Sequence, residues 1–201
     1  MSQLALVSGA EHATGGTRGA TFSDDGRFRY LLERAWSVPP MGAPAQRRTI
    51  LWVLLNPSTA GVQRDDNTVR RVVSFSKSWG YTDLKVCNLY GRIATKPADL
   101  WSAHRHTPDH ARLEDVIGLE NDRYLFRAAW GAEQIVVGWG AAGKRARARV
   151  DQVLKMLSGT PSVAWAGRPI GCLGMTIDGH PRHPLYLRRS TELEPFVREQ
   201  P

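Results

Sequence analysis

The sequence predicts an α/β protein of three layers, in which helices cover both faces of a central, mostly parallel sheet of four to five strands, preceded by an N-terminal β-hairpin. Two observations predict it. Apolar runs of strand length at residues 49–55 (TILWVLL), 84–89 (LKVCNL) and 134–139 (QIVVGW) lack the polar alternation of a half-exposed strand, so each is expected to be covered on both faces. The segments between them carry apolar residues at helical spacing, and strands alternating with helices at such intervals build a parallel or mixed sheet.

The elements follow in order. Residues 1–20 are small and rich in Gly, Ala and Thr, and read as a flexible lead. Residues 21–36 (TFSDDGRFRYLLERAW) set the turn-forming pair Asp25-Gly26 between bulkier flanks, the pattern of a hairpin. The Pro/Gly-rich stretch 37–48 is expected to be loop and leads into the first core strand. Residues 67–79 (NTVRRVVSFSKSW) place Val69, Val72, Val73 and Ser76 on one helical face, with Gly80 as the stop signal. A second helical pattern lies within 108–130 and a third within 141–157, where Pro161 marks the end. Residues 162–166 and 171–175 are weaker strand candidates. One domain is expected over 21–195, with a tail at 196–201.

Twenty-seven Lys and Arg against 19 Asp and Glu give a formal charge of +8, which favours a polyanion through counterion release, and DNA is the expected partner. The only cysteines, Cys87 and Cys172, sit in apolar settings (KVCNLY, IGCLGM), which excludes a disulfide framework or a four-cysteine zinc site and predicts two reduced core thiols. No apolar run approaches the ~18 residues of a membrane span, and the first residues lack the basic and apolar regions of a secretory signal. A cytoplasmic protein without cofactor, membrane contact or obligate protein partner is the expectation.

In sheets of this kind sites lie at the carboxyl ends of the strands. Four motifs fall there: Asn56 in LLNPS, Asn88 in VCNLY, Trp139-Gly140 in VGWG, and His183 in HPLY. Each is ambiguous alone. An Asn-Pro-Ser after a strand is usually a turn, and a lone histidine is usually a surface or hydrogen-bonded residue. Order and placement carry more. A strand ending in LNPS, a strand ending in Asn, a strand closing in WG and a late HPL together resemble the uracil-DNA glycosylase superfamily. The set LNPSTA, DDNTVRR, NLYG, VGWG and HPLYL is similar to a widespread bacterial and phage domain family that forms a distant branch of it. The resemblance spans residues 49–187.

It implies a glycosylase-like fold and a monofunctional DNA glycosylase that leaves an abasic site. Asn56 falls on the water-positioning residue, an Asp in the fastest members and an Asn in the mismatch-specific branch. His183 falls on the histidine that stabilises charge on the departing base, and Asn88 on the amide that reads the edge of the flipped base, with Pro57, Ser58 and Tyr90 completing the expected base-recognition set. Leu185 and Tyr186 occupy the loop of the apolar wedge, and Arg188, Arg189, Lys144 and Arg145 are expected to grip phosphates. The setting it suggests is defence against, or processing of, phage DNA with modified bases.

The chemistry supports these residue types independently. Breaking an N-glycosidic bond passes through a cationic sugar and an anionic base, so a site needs an oriented water and donors facing the base. Flipping that base costs a few kcal/mol, which an apolar wedge and a backbone grip offset. No carboxylate follows the first strand directly. Asp65 and Asp66 come later, and Asp66 is taken as a catalytic candidate beside the alternative that RDDNT is an Asp-rich turn and helix N-cap. The run HRHTPDH (104–110) does not fit known metal-ligand spacings, and no metal is expected. GWGAAGK lacks the Ser or Thr that ends a phosphate loop. Two other functions stay open: a nucleoside or nucleotide N-glycosidic hydrolase or transferase, which would need a nucleophilic carboxylate, and a non-catalytic reader of modified DNA.

Overall fold

A computed structural model describes residues 6–12, 16–36, 47–96, 98–101, 114–141, 145–159 and 169–197. Its strands are β1 (Leu6–His12), β2 (Gly16–Phe22), β3 (Arg29–Ala35), β4 (Thr49–Leu54), β5 (Asp83–Asn88), β6 (Gln134–Val137), β7 (Gly171–Cys172) and β8 (Glu194–Pro195). The helices α1 (Asn67–Ser78), α2 (Glu114–Ile117), α3 (Asn121–Trp130) and α4 (Arg147–Ser158) pack around them. All eight strands join one sheet in the order β1-β2-β3-β5-β4-β6-β7-β8.

The α/β class holds, and the sheet is larger than expected. Its centre is parallel: β4 pairs with β5 and with β6, and β6 pairs with β7. Its wings are antiparallel, because the hairpin β2–β3 does not stand apart but adds to β5, matching Leu32 to Val86 and Ala35 to Asp83. That pairing has a physical reason. Without β3, the outer edge of β5 would present unpaired amides and carbonyls. β1 and most of β2 lie in the Gly/Ala/Thr-rich stretch whose composition suggested a flexible lead, and β8, which no sequence signal announced, closes the far edge against β7.

Burial explains the uninterrupted apolar strand. Ile50 to Leu54 are all at most 5% exposed because β4 lies between two strands with a helical layer over each face. Ile50, Trp52 and Leu54 face a cluster with Val69, Val72 and Phe75 of α1. Leu51, Val53 and Leu55 face the opposite cluster, with Leu125 and Ala128 of α3 and Val150, Val153 and Leu157 of α4. Trp52 is buried without stranding its polar atom: its indole N–H donates to the Ser76 hydroxyl at 3.0 Å, which in turn donates to the Val72 carbonyl.

Helix boundaries follow capping chemistry. The Asp66 carboxylate accepts from the Val69 amide at the start of α1, and Gly80, at φ 77°, returns its N–H to the Lys77 carbonyl at the end. The helical pattern within 108–130 splits into α2 and α3 at Gly118, whose φ of 85° and whose absent Cβ, which would lie 2.7 Å from Phe28, both require glycine. Segment 162–166 and Pro161 lie outside the described residues.

Candidate active site

The C-terminal ends of β4, β5 and β6 converge on a pocket of about 490 Å³. Asn56, Ser58, Asp66, Asn88, Leu185, Tyr186 and His183 all line it, so residues separated by up to 130 positions in the chain meet at the place the strand order predicts.

Asn56 follows β4 and is held in one orientation. Its side-chain amide donates to the Pro57 carbonyl at 2.9 Å and to the Ala94 carbonyl at 2.7 Å. Two carbonyl acceptors can be met only by the NH₂ group, so among the described residues the amide oxygen is left as an unused acceptor of a pocket-lining side chain. Asn88 ends β5, is 1% exposed, and its amide nitrogen has no hydrogen-bond partner among the described residues. Asp66 lines the pocket while one of its oxygens caps α1.

His183 opens a short 3₁₀ turn (Pro184–Tyr186) and its Nδ1 accepts from the Leu185 amide at 3.3 Å. With Nδ1 an acceptor, the neutral ring carries its proton on Nε2. Burial pushes the His183 pKa below its ordinary value, against the opposing pull of the nearby Asp66 carboxylate, so the neutral ring is the resident form at physiological pH. The WG motif serves this histidine. Gly140, at φ 73°, donates its amide to the Pro181 carbonyl, and a Cβ there would lie 3.2 Å from the His183 Cβ. The positive φ and this close approach together favour glycine at position 140, where the end of β6 meets the His183 segment.

The other expected residues divide. Leu185 is half-buried on the wall, and Tyr186, 82% exposed, stands at the rim with its ring 5.8 Å from that of His183. Pro57 is buried beside the pocket and contributes the backbone carbonyl that anchors Asn56. Tyr90 does not reach the pocket. It lies two residues beyond the end of β5, where strand alternation no longer governs, and with Leu89 it is buried in the opposite core cluster, its ring edge-on to Trp101. Arg145, Arg188 and Arg189 are exposed and outside the pocket wall, and Lys144 and the 104–110 run lie outside the described residues. Among the described residues no cluster of three His, Cys, Asp or Glu is placed to hold a metal.

Asp65 and Asp66 separate cleanly. Asp65 is not among the pocket residues and forms partly buried ion pairs with Arg34 at 2.7 Å and with Arg18 at 2.7 Å. Arg29, unmarked by any motif, lines the pocket although it is only 3% exposed. Its only signal was a second arginine besides Arg34 in a strand whose middle, Tyr30 to Leu32, is apolar. No helix among the described residues is long and apolar enough to cross a membrane.

Residues 29–185 match the family described as "Protein of unknown function (DUF1643)". No curated protein and no solved structure matches the chain.

Proposed function

The chain belongs to the DUF1643 family, and we propose that it is a DNA glycosylase that hydrolyses the N-glycosidic bond of a flipped base. The observation that carries this reading is the fixed orientation of Asn56, whose amide nitrogen is engaged by two carbonyls and whose oxygen is free to hold a water. In this reading the water attacks the sugar C1′ as the C1′–N bond breaks, the bonding electrons leave with the base, and the water's proton ends on the base after passing through the site. Asp66 opposes the positive charge that grows on the sugar, and His183 donates from Nε2 to the departing base. Neutral His183 suits that task as a hydrogen-bond donor, which keeps its own proton and need not be an imidazolium.

The pocket volume of about 490 Å³ lies in the range of ~300–1,000 Å³ typical of small-ligand sites, room enough for a flipped base and compatible with one that carries a substituent. In this reading Leu185 and Tyr186, which line the pocket, supply the wedge that fills the space left by the flipped base, and the charge of +8 supports attraction to a polyanion. Defence against phage DNA with modified bases is the physiological setting consistent with that substrate.

The test is a panel of duplex and single-stranded DNAs carrying uracil, mismatched thymine, or hydroxymethylated or glucosylated cytosine, followed by alkaline cleavage at abasic sites and mass analysis of released bases. Release from one member, abolished in Asn56→Ala, is the expected result. Firm binding without release from any member would replace the hydrolase with a non-catalytic reader of modified DNA.

A further inference from the structure

Three arginines among the described residues are buried, and two of them are fully used. Arg34 donates through its Nε and both Nη atoms to the Asp65 carboxylate and to the Gly19, Glu33 and Gly61 carbonyls. Arg149 pairs with Asp122 and donates to the Leu89 carbonyl. Arg29 differs. Nη1 donates to the Ala60 carbonyl at 2.8 Å, Nη2 makes a long contact to the Asn88 amide oxygen at 3.5 Å, and Nε has no partner. No carboxylate hydrogen-bonds to it, although it is as buried as the others.

Its neighbour repeats the pattern. The Asn88 oxygen is turned to Arg29, so the amide nitrogen is the atom left without a partner. Two adjacent pocket-lining side chains therefore hold unused N–H donors, and an unpaired buried donor is costly to keep unless a ligand completes it. Burial pulls the Arg29 guanidinium down to about 10, with the Asp66 charge opposing and the Arg34 charge adding, so it stays cationic at neutral pH.

We infer that Arg29 is a substrate-binding residue of this pocket and that, with the Asn88 amide it orients, it takes an acceptor edge of the ligand's ring, more tightly when that edge carries negative charge. The inference rests on the pocket receiving a base, as proposed above, and adds a residue outside every motif of the sequence. In the hydrolytic reading the acceptor edge becomes anionic as the base departs, so a fixed cation there binds the leaving group more strongly than the ground state. A base that offers only donors on this edge is excluded, since it would leave Arg29 and Asn88 unpaired.

The experiment is calorimetric titration of the full chain at neutral pH with two rings of similar size, 5-nitrouracil, which is anionic, and thymine, which is neutral. Wild type is expected to favour the anion about tenfold, the increment of a charge-assisted over a neutral hydrogen bond. Arg29→Gln should bring the ratio close to one, and Arg29→Lys should retain part of it. Asn88→Asp, which gives Arg29 a carboxylate partner within the fold, should also abolish the preference, so the test survives if Arg29→Gln fails to fold. An unchanged ratio in folded Arg29→Gln or Asn88→Asp, or no binding of either ring by wild type, overturns the inference. Run beside the DNA panel, the two readings separate. Base release with an Arg29-independent ratio leaves the hydrolase and removes Arg29, whereas an Arg29-dependent ratio with no release from any DNA keeps the binding residue and removes the hydrolase.

Discussion

Replacing Asn56 by Asp changes one atom and should cost the protein stability. The NH₂ group that donates to the Pro57 and Ala94 carbonyls at 2.9 and 2.7 Å becomes a carboxylate oxygen facing two acceptors. Two hydrogen bonds worth about 0.5–1.5 kcal/mol each are lost, and carbonyls in a half-buried setting lose their donor. The sum, about 2–3 kcal/mol, lowers the melting temperature by roughly 4–12 °C in a chain of this length. The carboxyl can restore one hydrogen bond by protonating, so its pKa in the fold rises above the unfolded value of about 3.9, by roughly 1.5 units for every 2 kcal/mol. The sign follows: below about pH 3.9 the carboxyl is protonated in both states and that part of the penalty is absent, and the penalty grows as pH rises through the folded pKa. Urea denaturation of variant and wild type at about pH 7.5 and about pH 4.5 should show a deficit that shrinks in acid. Base release, in the function proposed, should fall as well. A variant as stable as wild type at neutral pH, or a deficit indifferent to pH, would refute the orientation assigned to Asn56.

His183→Ala should slow base release by about 10²-fold or more while leaving DNA affinity nearly intact, as single-turnover kinetics would show. Because the folded His183 pKa is depressed, its contribution to stability is present above the unfolded value of about 6.5 and is lost as pH falls towards the folded value; His183→Gln should weaken the acid limb of the stability profile. The neighbouring aspartates should separate by assay. Asp65→Asn removes the carboxylate partner of buried Arg34 from a partly buried ion pair and should lower stability by about 1–3 kcal/mol in chemical denaturation without changing ring binding; Asp66→Asn should cost about 1 kcal/mol or less through its cap and act mainly on turnover. Replacing Arg188 and Arg189 together should weaken DNA binding and flatten its salt dependence, with unchanged melting, since both are exposed. Cys87, fully buried and pushed up to about 12 by desolvation, should resist a thiol reagent until the protein unfolds.

Local chemistry was legible in the sequence wherever one segment sufficed to express it. The apolar run around β4 announced a strand covered on both faces, Asp66 and Gly80 bracketed α1, and the Asp25-Gly26 turn marked the hairpin, because periodicity, capping and turn geometry act over a few residues. The placement of Asn56, Asn88 and His183 at strand ends followed from the rule that α/β sheets gather their sites there. What only the tertiary structure decided depends on partners distant in the chain. The hairpin became part of the sheet because β5 had an edge to cover. Tyr90 left the expected site because the chain leaves the strand after Asn88, and Leu89 and Tyr90 both turn into the opposite core cluster. Asp65 and Asp66 are indistinguishable as letters, yet one meets Arg34, 31 positions away, and the other lines the pocket. Arg29 is the extreme case: a strand arginine reads as ordinary surface until the fold buries it beside Asn88, 59 positions on, and leaves its Nε without a partner among the described residues. Whether a buried charge is structural or awaits a ligand is set by which groups surround it, and those are assembled only when the sheet closes.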